Sequence, residues 1–199
     1  MATFPSTGLD EILFRALNLA GTNGVVDAAM LLITTLGAEY ILVFVALPLW
    51  LRGRREATFD FLLLYVITAL LTTAIKYAVD RPRPCDVLID IHTLPGYGCN
   101  VERDPSFPSG HASRAVAVAA FIALRFDRRA GMAASVFAVL VGLSRVYLGV
   151  HWPSDVLAGA LLGIGLALAV ELANRRLPLY QRVRKRIVEL IPHWPRRAA

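Results

Sequence analysis

Hydrophobic positions along this chain fall into long blocks rather than alternating with polar ones. Five mostly apolar stretches, residues 23–51, 59–79, 109–126, 130–148 and 153–174, are separated by short polar or basic segments. A membrane-spanning helix needs about 20 consecutive apolar residues, so each block predicts a span. Gly37 and Glu39 interrupt the first block, which predicts that its first half lies tilted or shallow. The second carries no charge over residues 61–75, the fourth none before Arg145 and the fifth none over 156–170; the third has Arg114 near its start. Two further stretches are one-sided at helical spacing. Leu9, Ile12, Leu13, Ala16, Leu17 and Ala20 share one stripe, with Asp10, Glu11, Arg15 and Asn18 elsewhere. Leu179, Val183, Ile187, Leu190 and Ile191 share another, opposite a basic cluster. Helices of this kind lie in the headgroup region. For the basic tail, a solvated chain end is the alternative. The expected fold is all-α: a bundle of about five transmembrane helices plus an N-terminal interfacial helix over 9–21.

Composition agrees with that pattern. The 199 residues are 56% hydrophobic and 18% charged, whereas soluble domains average about 25% charged. Buried core helices are the alternative for each block, but five of them would leave too little polar surface to cover them in water. The net charge of +6 is of the kind that draws proteins to nucleic acid. Its distribution argues otherwise. Fourteen of the 21 Lys and Arg residues lie between the first and second blocks, between the third and fourth, or after the fifth. With five spans these segments share one side, and the positive-inside rule makes that side cytoplasmic. The remaining loops then face outward, and no nucleic-acid partner is expected. Two cysteines cannot supply a zinc cage of the usual kind. The opening residues, MATFPSTGLDEI, lack a basic region and an early apolar run, so no cleavable signal peptide is expected.

The other basic residues break the positive-inside pattern and need a reason. Lys76 closes the second block, Arg83 sits between Pro82 and Pro84, and Arg145 closes the fourth block. His111 opens the third block, while His151 and Asp155 straddle the turn into the fifth. Four helix ends therefore bring Lys76, Arg83, His111, Arg145, His151 and Asp155 to one membrane face. Ionisable groups at membrane depth are costly and point to function. Three cations suit a dianionic group with several oxygens, and helix starts near Ser109 and Pro153 add N–H donors and positive dipole ends. Two histidines offer a nucleophile and a proton donor. Asp155, four residues after His151, is close enough to orient its ring. No His/Cys/carboxylate cluster has metal-ligand spacing and no Walker lysine follows a Gly-rich loop, so no metal or cofactor is expected.

These residues resemble a known signature. Lys76-x6-Arg83-Pro84, Pro108-Ser109-Gly110-His111 and Ser144-Arg145-x5-His151-x3-Asp155 match the three-part motif of the type 2 phosphatidic acid phosphatase superfamily, whose site is shared by the vanadium haloperoxidases. All eleven positions are present in order. The resemblance implies an acid phosphatase/vanadium haloperoxidase-like core over 59–172, within one integral membrane domain spanning 1–199 and ending in a basic cytoplasmic tail, 175–199. It implies that His151 is the nucleophile and forms a phosphohistidine, that Asp155 orients it, and that His111 protonates the leaving oxygen and then activates water. It implies that Lys76, Arg83, Arg145, the Ser109 hydroxyl and the Gly110 N–H hold the phosphoryl oxygens, and that no metal is required.

Residues outside the signature receive plainer readings. His92 and His193 are expected to be ordinary loop residues. Arg114, one turn after His111, is expected to pair with an outer-loop carboxylate; a second phosphate or headgroup contact is the other reading. Asp80 and Arg81 are expected to form a local ion pair. Trp152, Tyr147 and Tyr77 are expected to anchor the chain at the membrane interface. Cys85 and Cys99 bracket the outer loop, where an oxidising exterior permits a disulfide; two free thiols are the alternative. The expected activity is a lipid phosphatase in the plasma membrane, acting at its extracytoplasmic face on a polyprenyl diphosphate. The alternatives are a phosphatidylglycerophosphate or phosphatidic acid phosphatase, a lipid phosphotransferase and a non-catalytic lipid-binding protein. A haloperoxidase is disfavoured by the spans. The bilayer and its lipid substrate are the expected partners, and oligomeric state is left open.

Overall fold

A computed structural model of the chain describes residues 8–191. All its regular elements are helical: α1 (Gly8–Asn18), α2 (Gly24–Leu36), α3 (Glu39–Leu42), a 3-10 turn (Val43–Val45), α4 (Ala46–Leu51), α5 (Arg55–Val79), α6 (Pro84–Val87), α7 (Gly110–Arg125), α8 (Arg128–Tyr147), α9 (Pro153–Arg176) and α10 (Pro178–Leu190). Each of the five apolar blocks is helical. Three helical segments, Arg55–Val87, Arg128–Tyr147 and Pro153–Arg176, are long and apolar enough to cross a bilayer. The first block is two helical pieces, α2 and the α3–α4 segment, bent by 54° at residues 37–38. Together they are long and apolar enough to form a fourth, broken span or a re-entrant hairpin. At Gly37 a Cβ would come within 2.6 Å of Val141, so the lack of a side chain lets the backbone at the bend press against α8. The block expected to be the third span is α7, only 16 residues long, which is about 24 Å at 1.5 Å per residue. It is packed by α5, α8 and α9, and a helix walled by protein need not match the hydrocarbon thickness.

Small residues set that packing. A Cβ on Gly159 of α9 would lie 2.5 Å from the Ser109 carbonyl oxygen, and one on Gly163 would collide with the Ser113 carbonyl. The Gly-x-x-x-Gly face of α9 thus lets two backbones touch, as small residues do in membrane helix pairs. The opposite face of α9 exposes Leu157, Leu161, Ile164, Leu168 and Leu172. Phe61, Leu64, Val118, Phe121, Val141 and Ala167 fill the centre of the bundle. Helix starts carry side-chain caps where the sequence supplies them. Asn23 accepts from Val25 N and Val26 N at 3.0 and 3.1 Å, and Asp127 accepts from Ala130 N at 3.0 Å.

Two amphipathic segments flank the bundle. α1 turns Leu9, Ile12, Leu13 and Leu17 outward and buries Asp10, Phe14 and Asn18 against the protein. Its apolar stripe is therefore free to meet lipid while its polar residues bind protein. Asn18 Nδ2 donates to the carbonyls of His92 and Tyr147, each at 2.8 Å, and its Oδ1 accepts from His92 N at 2.7 Å. At the other end of the bundle α10 is latched by a buried carboxylate. Asp60 accepts from Arg125 Nη2 at 2.6 Å, from Arg184 Nη1 at 2.7 Å and from the Tyr180 hydroxyl. The first part of the basic tail is thus a docked helix. His193 and the last residues of the tail lie outside the described residues.

Candidate active site

Four helix ends and one loop converge at the signature end of the bundle. α5 delivers Lys76 from its last turn and α8 delivers Arg145 from its last turn. Arg83 is held by the Pro-flanked segment before α6. α7 begins at Gly110 with Ser109 as its N-cap, the Ser109 side chain accepting from Ala112 N at 3.4 Å. α9 begins at Pro153, and Asp155 Oδ2 accepts from Trp152 N at 2.9 Å. The two helix starts are tied together, since Ser109 N donates to the Asp155 carbonyl at 2.9 Å. A cavity of about 430 Å³ opens among them, lined by Lys76, Gly110, His111, Arg145 and His151 together with Arg114, Glu102 and Asp104.

His151 is at the centre of the arrangement and is 1% exposed. Its Nδ1 lies 3.4 Å from Asp155 Oδ2 and its Nε2 lies 3.3 Å from Arg83 Nη1. Burial, then the charges of Arg83, Arg145 and Lys76, pushes its pKa well below the ordinary histidine value. The ring is therefore neutral at physiological pH, with a lone pair available on one nitrogen. Arg83 is fixed by the carbonyls of Asp104 (2.8 Å) and Val150 (2.9 Å). Arg145 Nη1 donates to Thr34 Oγ1 at 2.7 Å. Lys76, Arg83 and Arg145 are all buried. His111, half-buried, lines the cavity from the first turn of α7.

The structure adds groups that the sequence pattern does not single out. Glu102 contacts Arg145 Nη2 through one oxygen and lies 3.1 Å from Arg83 Nη2 through the other. Asp104 lies 3.0 Å from Lys76 Nζ and 2.7 Å from Arg83 Nη2. Two loop carboxylates thus offset two of the three positive charges and bridge all three cations. Burial works against ionisation of Glu102, but Arg145, His151 and Arg83 outweigh it and hold its pKa below the usual carboxylate value. Asp104 is likewise opposed by burial and held low by Lys76 and Arg83. A run of carboxylates in a loop facing excess cations is the one sequence signal that points to them. Cys85 and Cys99 are joined by a disulfide with Cα atoms 5.8 Å apart, so the segment leading to Glu102 is tethered beside Arg83.

Four expectations change. Arg81 does not pair with Asp80. Its Nη1 donates to Asp155 Oδ1 at 2.7 Å and its Nη2 to Asp10 Oδ2 at 2.6 Å, because α1 brings Asp10 over the start of α9. Arg114 pairs with Glu39 at 2.5 Å, a residue of the bent first block rather than of the outer loop. Trp152 and Tyr147 are buried, at 2% and 4% exposure, and do not anchor an interface; Tyr77 is 66% exposed. The Trp152 indole N–H donates to the Pro82 carbonyl at 3.0 Å, with its ring beneath the Arg81 guanidinium (5.1 Å). His92 holds the loop to α2, with its Nε2 2.9 Å from Asp27 Oδ1.

Residues 57–177 match the family model of the PAP2 superfamily. The chain belongs to the PAP2 superfamily. It is an integral membrane PAP2 phosphatase with several helical spans. Among curated PAP2 relatives, an undecaprenyl-diphosphatase from Sulfolobus acidocaldarius is 33% identical over 160 residues, covering 78% of this chain and 74% of the relative. Among solved structures, Aquifex aeolicus LpxE superimposes with a TM-score of 0.74 at 28% identity, covering 82% of this chain and 94% of that one. A transmembrane PAP2-type phosphatidylglycerolphosphate phosphatase from Bacillus subtilis superimposes with a TM-score of 0.70 at 28% identity, covering 88% and 89%.

Proposed function

We propose that this PAP2 phosphatase removes the terminal phosphate of a polyprenyl diphosphate, at the extracytoplasmic face of the plasma membrane, through a phosphohistidine and without a metal. The observation that carries the reading is the environment of His151: Nδ1 toward Asp155 at 3.4 Å, Nε2 beside Arg83 at 3.3 Å. In the first step His151 Nε2 attacks the terminal phosphorus. The N–P bond forms as the bridging P–O bond breaks, and His111 gives its proton to the departing lipid phosphate. Asp155 accepts the Nδ1 proton in a hydrogen bond and stabilises the positive ring that results. In the second step His111 takes a proton from water, the water oxygen bonds to phosphorus as the Nε2–P bond breaks, its electron pair returns to His151, and inorganic phosphate leaves. Lys76, Arg83 and Arg145 hold the equatorial oxygens, with the Ser109 hydroxyl and the Gly110 N–H. Donors fixed in a low-dielectric site stabilise charge that develops in the transition state.

The polyprenyl substrate is supported by the Sulfolobus relative, named an undecaprenyl-diphosphatase, whose likeness runs over most of both chains. The second reading is a phosphatidylglycerophosphate phosphatase, favoured by the Bacillus subtilis structure of that name. The extracytoplasmic side is supported by the basic residues gathered at the end of the bundle away from His151. The test is phosphate release by purified protein in detergent with a chelator present. Polyprenyl diphosphate, phosphatidic acid and phosphatidylglycerophosphate are compared for wild type and His151→Ala. The reading requires release from the diphosphate that survives chelation and is lost in the variant. Release by His151→Ala would mean a different nucleophile, and loss of wild-type release on chelation would mean a metal.

A further inference from the structure

The cavity holds one guanidinium that the phosphoryl transfer leaves unused. Arg114 lies four residues past Gly110 on α7, and its side chain folds back toward the start of the helix, as helical side chains do. A Cβ placed on Gly110 would come within 2.8 Å of Arg114 Nη1. The side chain is 13% exposed and lines the same cavity as Lys76, His111, Arg145 and His151. Its Nε is buried and has no hydrogen-bond partner among the described residues. A guanidinium carries five N–H donors in a fixed fork, and a buried donor left unmet is costly.

Among the described residues, Arg114 also shares no carboxylate partner with the other cations of the site. Lys76, Arg83 and Arg145 are joined to one another through Asp104 and Glu102. The ion pair of Arg114 is with Glu39, whose side chain is 60% exposed. The cavity therefore contains two cationic subsites. One surrounds His151 and suits the phosphoryl group that is transferred. The other has a single guanidinium, with an unmet donor and a counter-ion that can turn out to water.

We infer that Arg114 binds the second phosphoryl group of a lipid diphosphate, the one that stays on the lipid, and so sets the preference for diphosphates over monophosphates. When that group enters, its oxygens replace the Glu39 carboxylate on Arg114 and meet the free Nε–H. This inference rests on the reading of the chain as a diphosphatase, and the test separates the two. Inorganic phosphate and inorganic pyrophosphate are used as competitive inhibitors of the full-length protein, with whichever lipid wild type turns over fastest as reporter. Wild type should bind pyrophosphate roughly ten- to hundred-fold more tightly than phosphate, the value of one or more charge-assisted hydrogen bonds. Arg114→Gln should bring that ratio close to one. Glu39→Gln, which keeps Arg114 and removes its competitor, should raise it. A wild-type ratio near one, or a ratio unchanged in both variants, overturns the inference. If the ratio behaves as expected but wild type does not hydrolyse polyprenyl diphosphate, the subsite stands and the proposed substrate falls.

Discussion

Glu102 offers the sharpest perturbation of the site, because it touches two of the three cations that a phosphoryl group would need. Its carboxylate contacts Arg145 and lies 3.1 Å from Arg83 Nη2, so in the proposed mechanism substrate oxygens and Glu102 would compete for the same N–H donors. Two unit charges 4 Å apart interact by about 4 kcal/mol at an effective dielectric of 20, and each charge-assisted hydrogen bond nets about 1.5–3 kcal/mol. The Glu102 side chain is 25% exposed, and glutamine still offers a neutral acceptor of the same shape. Both facts scale the competition down, to about 1.5 kcal/mol, or about ten-fold in binding. Glu102→Gln should therefore lower the Ki of inorganic phosphate about ten-fold, read as competitive inhibition of lipid phosphate release. The pH dependence has a definite sign. Arg145, His151 and Arg83 hold the Glu102 pKa below its ordinary value, so the carboxylate competes throughout the neutral range. Wild type should approach the variant only as pH falls through that lowered pKa, where protonation removes the charge that Gln lacks. A Ki that is unchanged, or that rises, would refute the reasoning and make Glu102 a brace for Arg145 and Arg83 rather than a competitor.

Three further perturbations probe the support around His151. Arg81→Ala leaves the fully buried Asp155 without its 2.7 Å partner, and breaking a buried pair costs about 3–5 kcal/mol; kcat should fall more than KM rises and Tm should drop, with part of kcat restored by Arg81→Lys. An effect on KM alone would show that Arg81 does not act through Asp155. Replacing Cys85 and Cys99 by serine opens a loop closed over a separation of 14 residues, a constraint of about 3 kcal/mol in the chain-entropy picture. The double variant should melt lower than wild type and lose the Tm response to reductant; a reductant-insensitive wild type would contradict this. Because the folded His151 pKa is depressed, its ring should stay neutral as pH falls through 6.5 while the unfolded chain takes up a proton. Its contribution to stability is thus lost below pH 6.5. Imidazole ¹⁵N NMR of the protein in detergent should give a midpoint well below that of a free histidine, and a midpoint at or above 6.5 would sink the claim.

The sequence pattern finds the five helical blocks, of which three, or four with the bent pair, are long and apolar enough to span, and it reads the faces of the helices poorly. The reason is physical. In water, apolar periodicity marks the side of a helix that turns inward. In a bilayer both the lipid side and the protein side are apolar, so α9 shows no hydrophobic asymmetry between its exposed Leu161 and Leu168 and its buried Ala167 and Val170. What distinguishes the inward face of these two helices is their small and polar residues, Gly159 and Gly163 on α9 and Asp10 and Asn18 on α1, although the large apolar Phe14 is buried beside the latter. Trp152 and Tyr147 were open to misassignment for the same reason, since an amphipathic aromatic suits an interface and a buried hydrogen-bonded niche equally well.

The counter-charges of the site were hidden by a different cause. In the proposed mechanism Lys76, Arg83 and Arg145 each reach one phosphoryl group, and that shared task ties their positions to a signature. Three buried cations without substrate would carry a large desolvation cost, and the protein meets it with Glu102 and Asp104. Any loop carboxylate that reaches the cradle would serve that purpose, so no spacing rule ties Glu102 to Arg145 across a sequence separation of 43. The same logic gives the loop a second consequence. Its carboxylates must be strong enough to hold the empty cradle together and weak enough to yield to a phosphate dianion. That balance is what the Glu102→Gln experiment measures.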